Sequence, residues 1–158
     1  MDVKNKRVVV TGAASGIGKA LCEAFHQAGA QSIVAVDMNI EGAQETADSV
    51  NGIAIQANVG KEEDIINVIE KANEHAGGID IFCSNAGIGG VPGFFEVSAA
   101  DWQNIWDVNV QGHIFAAKHV LPQMIERGEG YLVNTSSAAG LLTQLGAAGY
   151  SVTKAAAV

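Results

Sequence analysis

The sequence predicts an α/β fold: a doubly wound parallel sheet with helices on both faces. Three observations carry that expectation. Short β-branched runs alternate with stretches whose apolar residues repeat at helical spacing, and they do so along the whole 158-residue chain. The composition is 48% hydrophobic and only 16% charged, which suits strands buried on both faces. Glycine or Asn-Gly closes the helical stretches at Gly29, Asn51-Gly52 and Gly77-Gly78.

Element by element, residues 7–11 (RVVVT) form the first β-branched run, and Ile17, Leu21, Phe25 and Ala28 then mark a helix. Residues 32–37 (SIVAVD) read as a second strand, and Ile40, Ala43, Ala47 and Val50 as the helix after it. A third strand covers 53–57, a third helix carries Ile65, Ile69, Ala72 and Ala76, and a fourth strand covers 79–84. Beyond a glycine-rich loop (GIGGVPG), Ser98 with Asp101 resembles a capping box that opens a short helix through Trp102 and Trp106. A longer helix comes next with Ile114, Ala117, Leu121 and Met124 on one face, bent at Pro122. Residues 130–136 make the fifth strand, and the alanine-rich ending YSVTKAAAV reads as helix. Strands and helices in this alternation mean βαβ units, and right-handed crossovers wind them onto both faces of one sheet. No repeat, linker or composition shift divides the chain, so residues 1–158 are expected to form a single domain.

Charge and cysteine usage exclude several classes of function. A net charge of −8 and a pI near 4.8, with no basic run, argue against a nucleic-acid partner. Cys22 and Cys83 are far apart and read as reduced, buried thiols. The histidines at 26, 75, 113 and 119 lack metal-ligand spacing, so no metal site is expected. No apolar stretch is long enough for a signal peptide or a membrane span, which predicts a soluble cytoplasmic protein with no membrane partner.

The chemistry-bearing residues begin at TGAASGIG, residues 11–18. The turn joins the first strand to the first helix, where Gly12 permits a tight bend and Gly16 and Gly18 let backbone and helix start approach a pyrophosphate. Ser15 and Ile17 belong to the same turn and to the same predicted cofactor contact. Asp37 ends the second strand about 20 residues on, the position from which a carboxylate can accept from both ribose hydroxyls. It would repel a 2′-phosphate, and its neighbour Met38 and Ser15 are not basic, so NAD is expected over NADP. Asn58-Val59 ends the third strand, where an amide could face an adenine edge; a turn-forming asparagine is the simpler account of Asn58 by itself.

Tyr150 and Lys154 stand four apart in the last helix and therefore share a face. Taking a proton from an alcohol near neutral pH needs a group that titrates far below free tyrosine, and a cation one turn away favours phenolate. Ser136 and Ser137 lie just past the fifth strand, where a hydroxyl could hold a carbonyl oxygen. Read together, TGAASGIG with Asp37, Asn85-Ala86-Gly87, Asn109 in WDVNVQG, NTSSAAG at 134–140 and YSVTK at 150–154 resemble the short-chain dehydrogenase/reductase family over essentially the whole chain.

That resemblance implies a Rossmann-type sheet and a set of roles. Tyr150 is implied as acid/base, Lys154 as the residue that tunes it and holds the nicotinamide ribose, and Ser137 as the substrate-orienting serine. Asn109 is implied to support a water-linked proton path, and Asn85, Ala86 and Gly87 to brace the sheet beside the cofactor. Asn58 departs from the family, in which aspartate is commoner. The expected function is NAD-dependent interconversion of a secondary alcohol and a ketone, with a small-molecule alcohol or ketone as partner and a homo-oligomer as the complete assembly. The chain stops four residues after Lys154 with no cap and no further strand, which predicts the N-terminal part of a longer protein, inactive alone and lacking C-terminal strands. The alternative is a truncated dinucleotide-binding sensor or scaffold without turnover. Leu141, Leu142 and Leu145, with Val91 and Phe94, read either as an apolar pocket or as packing beneath a loop.

Overall fold

Five parallel strands organise the molecule: β1 (Arg7–Thr11), β2 (Ser32–Asp37), β3 (Ile53–Gln56), β4 (Ile81–Ser84) and β5 (Tyr131–Asn134). The computed structural model describes residues 2–143 and 145–158. Its sheet runs in the order β3-β2-β1-β4-β5, with Val10 registered against Ala35 on one side and Cys83 on the other. Six α-helices join or follow the strands: α1 (Gly16–Gln27), α2 (Ile40–Ser49), α3 (Glu62–Ala76), α4 (Ala99–Trp106), α5 (Gly112–Arg127) and α6 (Ala148–Ala156).

Strand periodicity explains the two layers. Successive side chains of a strand point to opposite faces. Val8, Val10, Ile33, Ala35, Ile81 and Cys83 pack with Cys22, Ala47 and Val50 of the α1 and α2 side. Val9, Val34, Val36, Ile55 and Phe82 pack instead with Ile65, Val68 and Ile69 of α3 and Ala116, Val120 and Met124 of α5. The sheet is thus doubly wound, as the sequence predicts. Its strand order reverses between β1 and β4, and the crevice for a ligand opens at the C-terminal ends of those two strands.

Three local differences from the sequence reading have physical reasons. β4 begins at Ile81 because Asp80 is drawn aside: its carboxylate receives the Arg7 guanidinium while its amide donates to the Arg7 carbonyl at 2.9 Å. β5 ends at Asn134, after which Ser136 turns toward the Lys154 carbonyl of α6 and Ser137 caps the short turn that follows. The third concerns α4 and α5, which the sequence suggests as separate helices. A π-helical turn over Asp107–Gln111 joins them, and the extra residue in that turn shifts the phase of α5 relative to α4. The buried stripe of α5 is therefore Gly112, Ala116, Val120 and Met124, while Ile114 and Leu121, expected on the core face with Met124, point outward. Pro122 lies inside α5 without ending it. The capping box between Ser98 and Asp101 is present. Among the described residues, no helix is long and apolar enough to cross a membrane.

Candidate active site

Packing and backbone geometry make the residues after β1 glycines. Gly12 takes φ +71, a left-handed conformation that side chains resist, and a Cβ there would stand 2.9 Å from the Ala86 Cα. A Cβ on Gly18 would stand 2.0 Å from the Gly12 carbonyl oxygen and 2.9 Å from the Asn85 Nδ2. Gly16 faces open space and is explained by its φ of +54. Ser15 is the N-cap of α1 but forms no side-chain cap hydrogen bond, so the first amides of the helix keep their donors for an anion. A pyrophosphate fits this bare cradle.

Asp37 clasps the same turn. One carboxylate oxygen accepts the Ala14 amide at 3.0 Å and the other accepts the Asn39 amide at 2.9 Å. Each oxygen keeps a second lone pair for a ribose hydroxyl. Beside it, a narrow cavity of about 140 Å³ is lined by Asp37, Met38, Ala57, Asn58, Val59, Ile88 and Val108, mostly apolar walls that suit a flat base. The Asn58 side-chain oxygen accepts the Gly60 amide at 3.0 Å. Asn58 can still offer a base its amide N–H groups and the second lone pair of that oxygen.

Around the ends of β4 and β5 three threonines make contacts that sequence reading missed. Thr11 Oγ1 accepts the Asn85 and Ala86 amides at 3.0 and 3.1 Å and donates to the Cys83 carbonyl, while Asn85 Nδ2 donates to the Thr11 carbonyl at 3.0 Å. Thr135 Oγ1 donates to Asn85 Oδ1 at 3.0 Å, and the Thr135 carbonyl accepts Lys154 Nζ at 2.9 Å. Thr153, fully buried, accepts Asn109 Nδ2 at 3.0 Å and lies 2.9 Å from the Gly149 carbonyl, to which its hydroxyl can donate. The only sequence signal for Thr153 is a hydroxyl inside a helix, where it can bond back to the carbonyl four residues earlier.

Lys154 is only 3% exposed, and its ammonium sits 5.8 Å from the centre of the Tyr150 ring. Burial holds its pKa below the usual amine value, with Tyr150 acting in the opposite sense. Ser137 Oγ accepts the Ala139 amide at 3.1 Å, which leaves its proton available to a substrate oxygen. Ser136 instead lies 3.4 Å from the Lys154 carbonyl. Asn109 accepts the Ile88 amide at 2.9 Å and donates to the Ile88 carbonyl at 3.0 Å, so its side chain reaches α6 through Thr153 and not through Lys154. Asn109 and Lys154 nonetheless converge on Gly87, where a Cβ would meet Asn109 Oδ1 at 3.3 Å and Lys154 Nζ at 3.4 Å.

One open cavity of about 570 Å³ brings these parts together. It is lined by the glycine turn with Ser15 and Ile17, by Asp37, by Asn85, Ala86 and Gly87, and by Ser137, Tyr150 and Lys154. Asn58 and Val59 line the adjoining narrow cavity, and Asn109 lies behind the wall. The arrangement can hold a dinucleotide along the strand ends, with a phenol, a hydroxyl and an ammonium at one end of it. No group of three or more His, Cys, Asp or Glu among the described residues could hold a metal.

Comparison with known proteins agrees with this geometry. The family model for short chain dehydrogenase matches residues 6–158. Glucose 1-dehydrogenase 2 of Bacillus subtilis is 36% identical over 143 residues, which are 86% of this chain and 55% of that protein. An uncharacterized oxidoreductase of Staphylococcus aureus is 34% identical over 157 residues, 96% of this chain and 67% of that one. Among solved structures, a short chain dehydrogenase/reductase from Burkholderia phymatum in complex with NAD superposes with a TM-score of 0.95 at 29% identity, covering 99% of this chain and 57% of that one. Levodione reductase superposes with a TM-score of 0.92 at 28% identity, covering 98% and 62%. The chain thus spans between about half and two thirds of the length of these relatives.

Proposed function

The chain belongs to the short chain dehydrogenase family, and on that premise we propose that the protein interconverts a secondary alcohol and a ketone with NAD as cofactor. The observation that carries this reading is the buried Lys154 ammonium, which among the described residues donates to the Thr135 carbonyl and stands beside the Tyr150 ring in the cavity that also holds the glycine turn and Asp37.

When bound, NAD supplies the acceptor for the hydride that leaves the carbinol carbon. Tyr150 takes the hydroxyl proton as the hydride departs, and returns it in the reverse direction. Lys154 stabilises the phenolate form of Tyr150 that accepts this proton, and its remaining N–H donors would hold the cofactor ribose. Ser137 donates to the substrate oxygen and fixes its angle to Tyr150. Asn109 clamps the Ile88 segment to α6 through Thr153, holding the two walls of the site in register. Asp37 accepts from the adenosine ribose, and its charge opposes a 2′-phosphate, which favours NAD over NADP. Two buried free thiols suit a reducing compartment, and the outward apolar residues Ile114, Leu121 and Ile125 of α5 suit a contact between subunits. A cytoplasmic homo-oligomer is therefore part of the proposal.

The test is NADH formation by the full-length protein across a panel of secondary alcohols. Turnover should fall about a thousandfold or more in Tyr150→Phe, as expected when a group that acts in the chemical step is removed, with NAD affinity within a few-fold of wild type. A phenylalanine variant that keeps near-wild-type rates removes Tyr150 from the chemistry.

A further inference from the structure

We propose that this site takes an apolar substrate, a hydrocarbon-rich cyclic or branched secondary alcohol or ketone, and not a sugar. The inference rests on the oxidoreductase reading for its chemistry and on separate residues for its specificity.

Two loops rise from the reacting groups. One leaves β4 and runs through residues 88–98; the other runs through 138–147, between Ser137 and the start of the helix that carries Tyr150. The Gly93 amide donates to the Gly146 carbonyl at 2.9 Å, and Gly93 pairs with Ala147 as an isolated parallel bridge, so the two loops form one rim. That rim displays Val91, Phe94, Phe95, Leu141, Leu142 and Leu145. Phe95 is 93% exposed, Leu142 74% and Leu145 97%, and Phe94 and Phe95 meet edge to face at 5.5 Å. The loops adjoin the cavity through Ile88, Gly89, Ser137 and Tyr150, which line it, and large apolar side chains left exposed on such loops mark a place where apolar surface is to be covered.

Few polar side chains stand in the same loops. Ser98 is held in the capping box with Asp101. The Glu96 carboxylate folds back over Gly93, where a Cβ would lie 2.5 Å from its Oε2. Among the described residues of the two loops, only Glu96 and Thr143 remain for substrate hydroxyls. A polyol would bring several hydroxyls into this rim, and each one desolvated without a partner weakens binding by roughly tenfold. Each Leu or Phe covered by hydrocarbon strengthens it by roughly tenfold or more. Opposed effects of that size separate the two substrate classes by orders of magnitude.

The experiment compares 4-tert-butylcyclohexanol with glucose on the full-length protein with NAD, and repeats both on Leu142→Asn and Phe95→Ser. These side chains are exposed, so the fold is expected to persist, with unchanged NAD affinity as the control. The expected result is a kcat/KM at least about a hundredfold higher for the cyclohexanol. Each variant should raise its KM about tenfold and change kcat less than threefold. Glucose turned over as well or better, with loss in Tyr150→Phe, overturns the apolar site and leaves the oxidoreductase reading standing. If neither alcohol is oxidised, calorimetry with 4-tert-butylcyclohexanone on the NAD-loaded protein decides. Binding weakened about tenfold by Leu142→Asn upholds the apolar site while the alcohol chemistry fails, and no binding overturns it.

Discussion

Asp37 has two tasks, and its geometry shows why one substitution disturbs both. Its carboxylate receives the amides of Ala14 in the glycine turn and Asn39 beyond β2, so it shapes the turn before any cofactor arrives. In the proposed NAD complex, the same oxygens would accept from the free ribose hydroxyls. A 2′-phosphate in that place would meet a charge of its own sign. We expect wild type to prefer NAD over NADP by about a hundredfold or more, and Asp37→Ala to narrow the ratio to about tenfold or less, since removing one charged hydrogen-bond acceptor is worth roughly 1.5–3 kcal/mol. Titration calorimetry with both cofactors measures it. Equal affinity of wild type for the two would remove Asp37 from the ribose. Tyr150 and Lys154 were legible as a pair because helical spacing alone makes them neighbours. The hold of Thr135 on Lys154 was not, because a backbone carbonyl makes it, which every residue possesses.

At the scale of elements, the glycine turn separates two reasons for a glycine. Gly18 lies against the Gly12 carbonyl, where a methyl group would overlap backbone at 2.0 Å. Gly16 has open space and only an unfavourable φ of +54. Gly16→Ala should therefore cost about 1 kcal/mol, the penalty of a left-handed residue, seen as a fall in Tm of roughly 2–4 °C. Gly18→Ala must push α1 away from Asn85 and should cost about 3 kcal/mol, the upper end of the range for overpacked cores. Thermal unfolding without cofactor compares the two, and equal losses would mean that α1 and the turn are not packed as described. The same contrast shows where sequence reading stops. β1 and β2 were legible to the residue because β-branched runs buried on both faces have sharp ends. The π-helical turn at Asp107–Gln111 was not, since nothing in WDVNVQG marks an extra residue, and the buried face of α5 was misassigned as a result. The last residues of the predicted fifth strand were lost for another reason. Ser136 reaches the Lys154 carbonyl of α6, a tertiary contact, and Ser137 caps the short turn after it by accepting the Ala139 amide, so both leave the sheet.

Across the whole molecule, the two ends of the strands are built differently. The C-terminal ends are opened by glycines and left for a ligand, whereas the opposite end is closed by one ion-paired knot. Arg7 at the start of β1 donates to both Asp80 oxygens, at 2.8 Å from Nε and 2.6 Å from Nη2, and also to the Gly77 carbonyl at the end of α3 at 2.8 Å. Arg127 at the end of α5 approaches the same carboxylate at 3.6 Å, and the Asp80 carbonyl accepts the first amide of β5 at 2.8 Å. Five elements thus meet at one acid that is 7% exposed. The Arg7 guanidinium holds its pKa down to about 2, against an ordinary value of 3.8. Because the folded value lies below the unfolded one, the stability this acid contributes is full above 3.8 and lost as pH falls through about 2. The shift corresponds to about 2 kcal/mol. Asp80→Asn keeps the shape and removes the charge, so it should lower unfolding free energy by about that amount at pH 7. Wild type and variant should then converge in urea titrations taken from pH 5 down to pH 2. A difference that stays constant over that range would mean that Asp80 acts through hydrogen-bond geometry alone and that the acid limb of stability is set by carboxylates elsewhere.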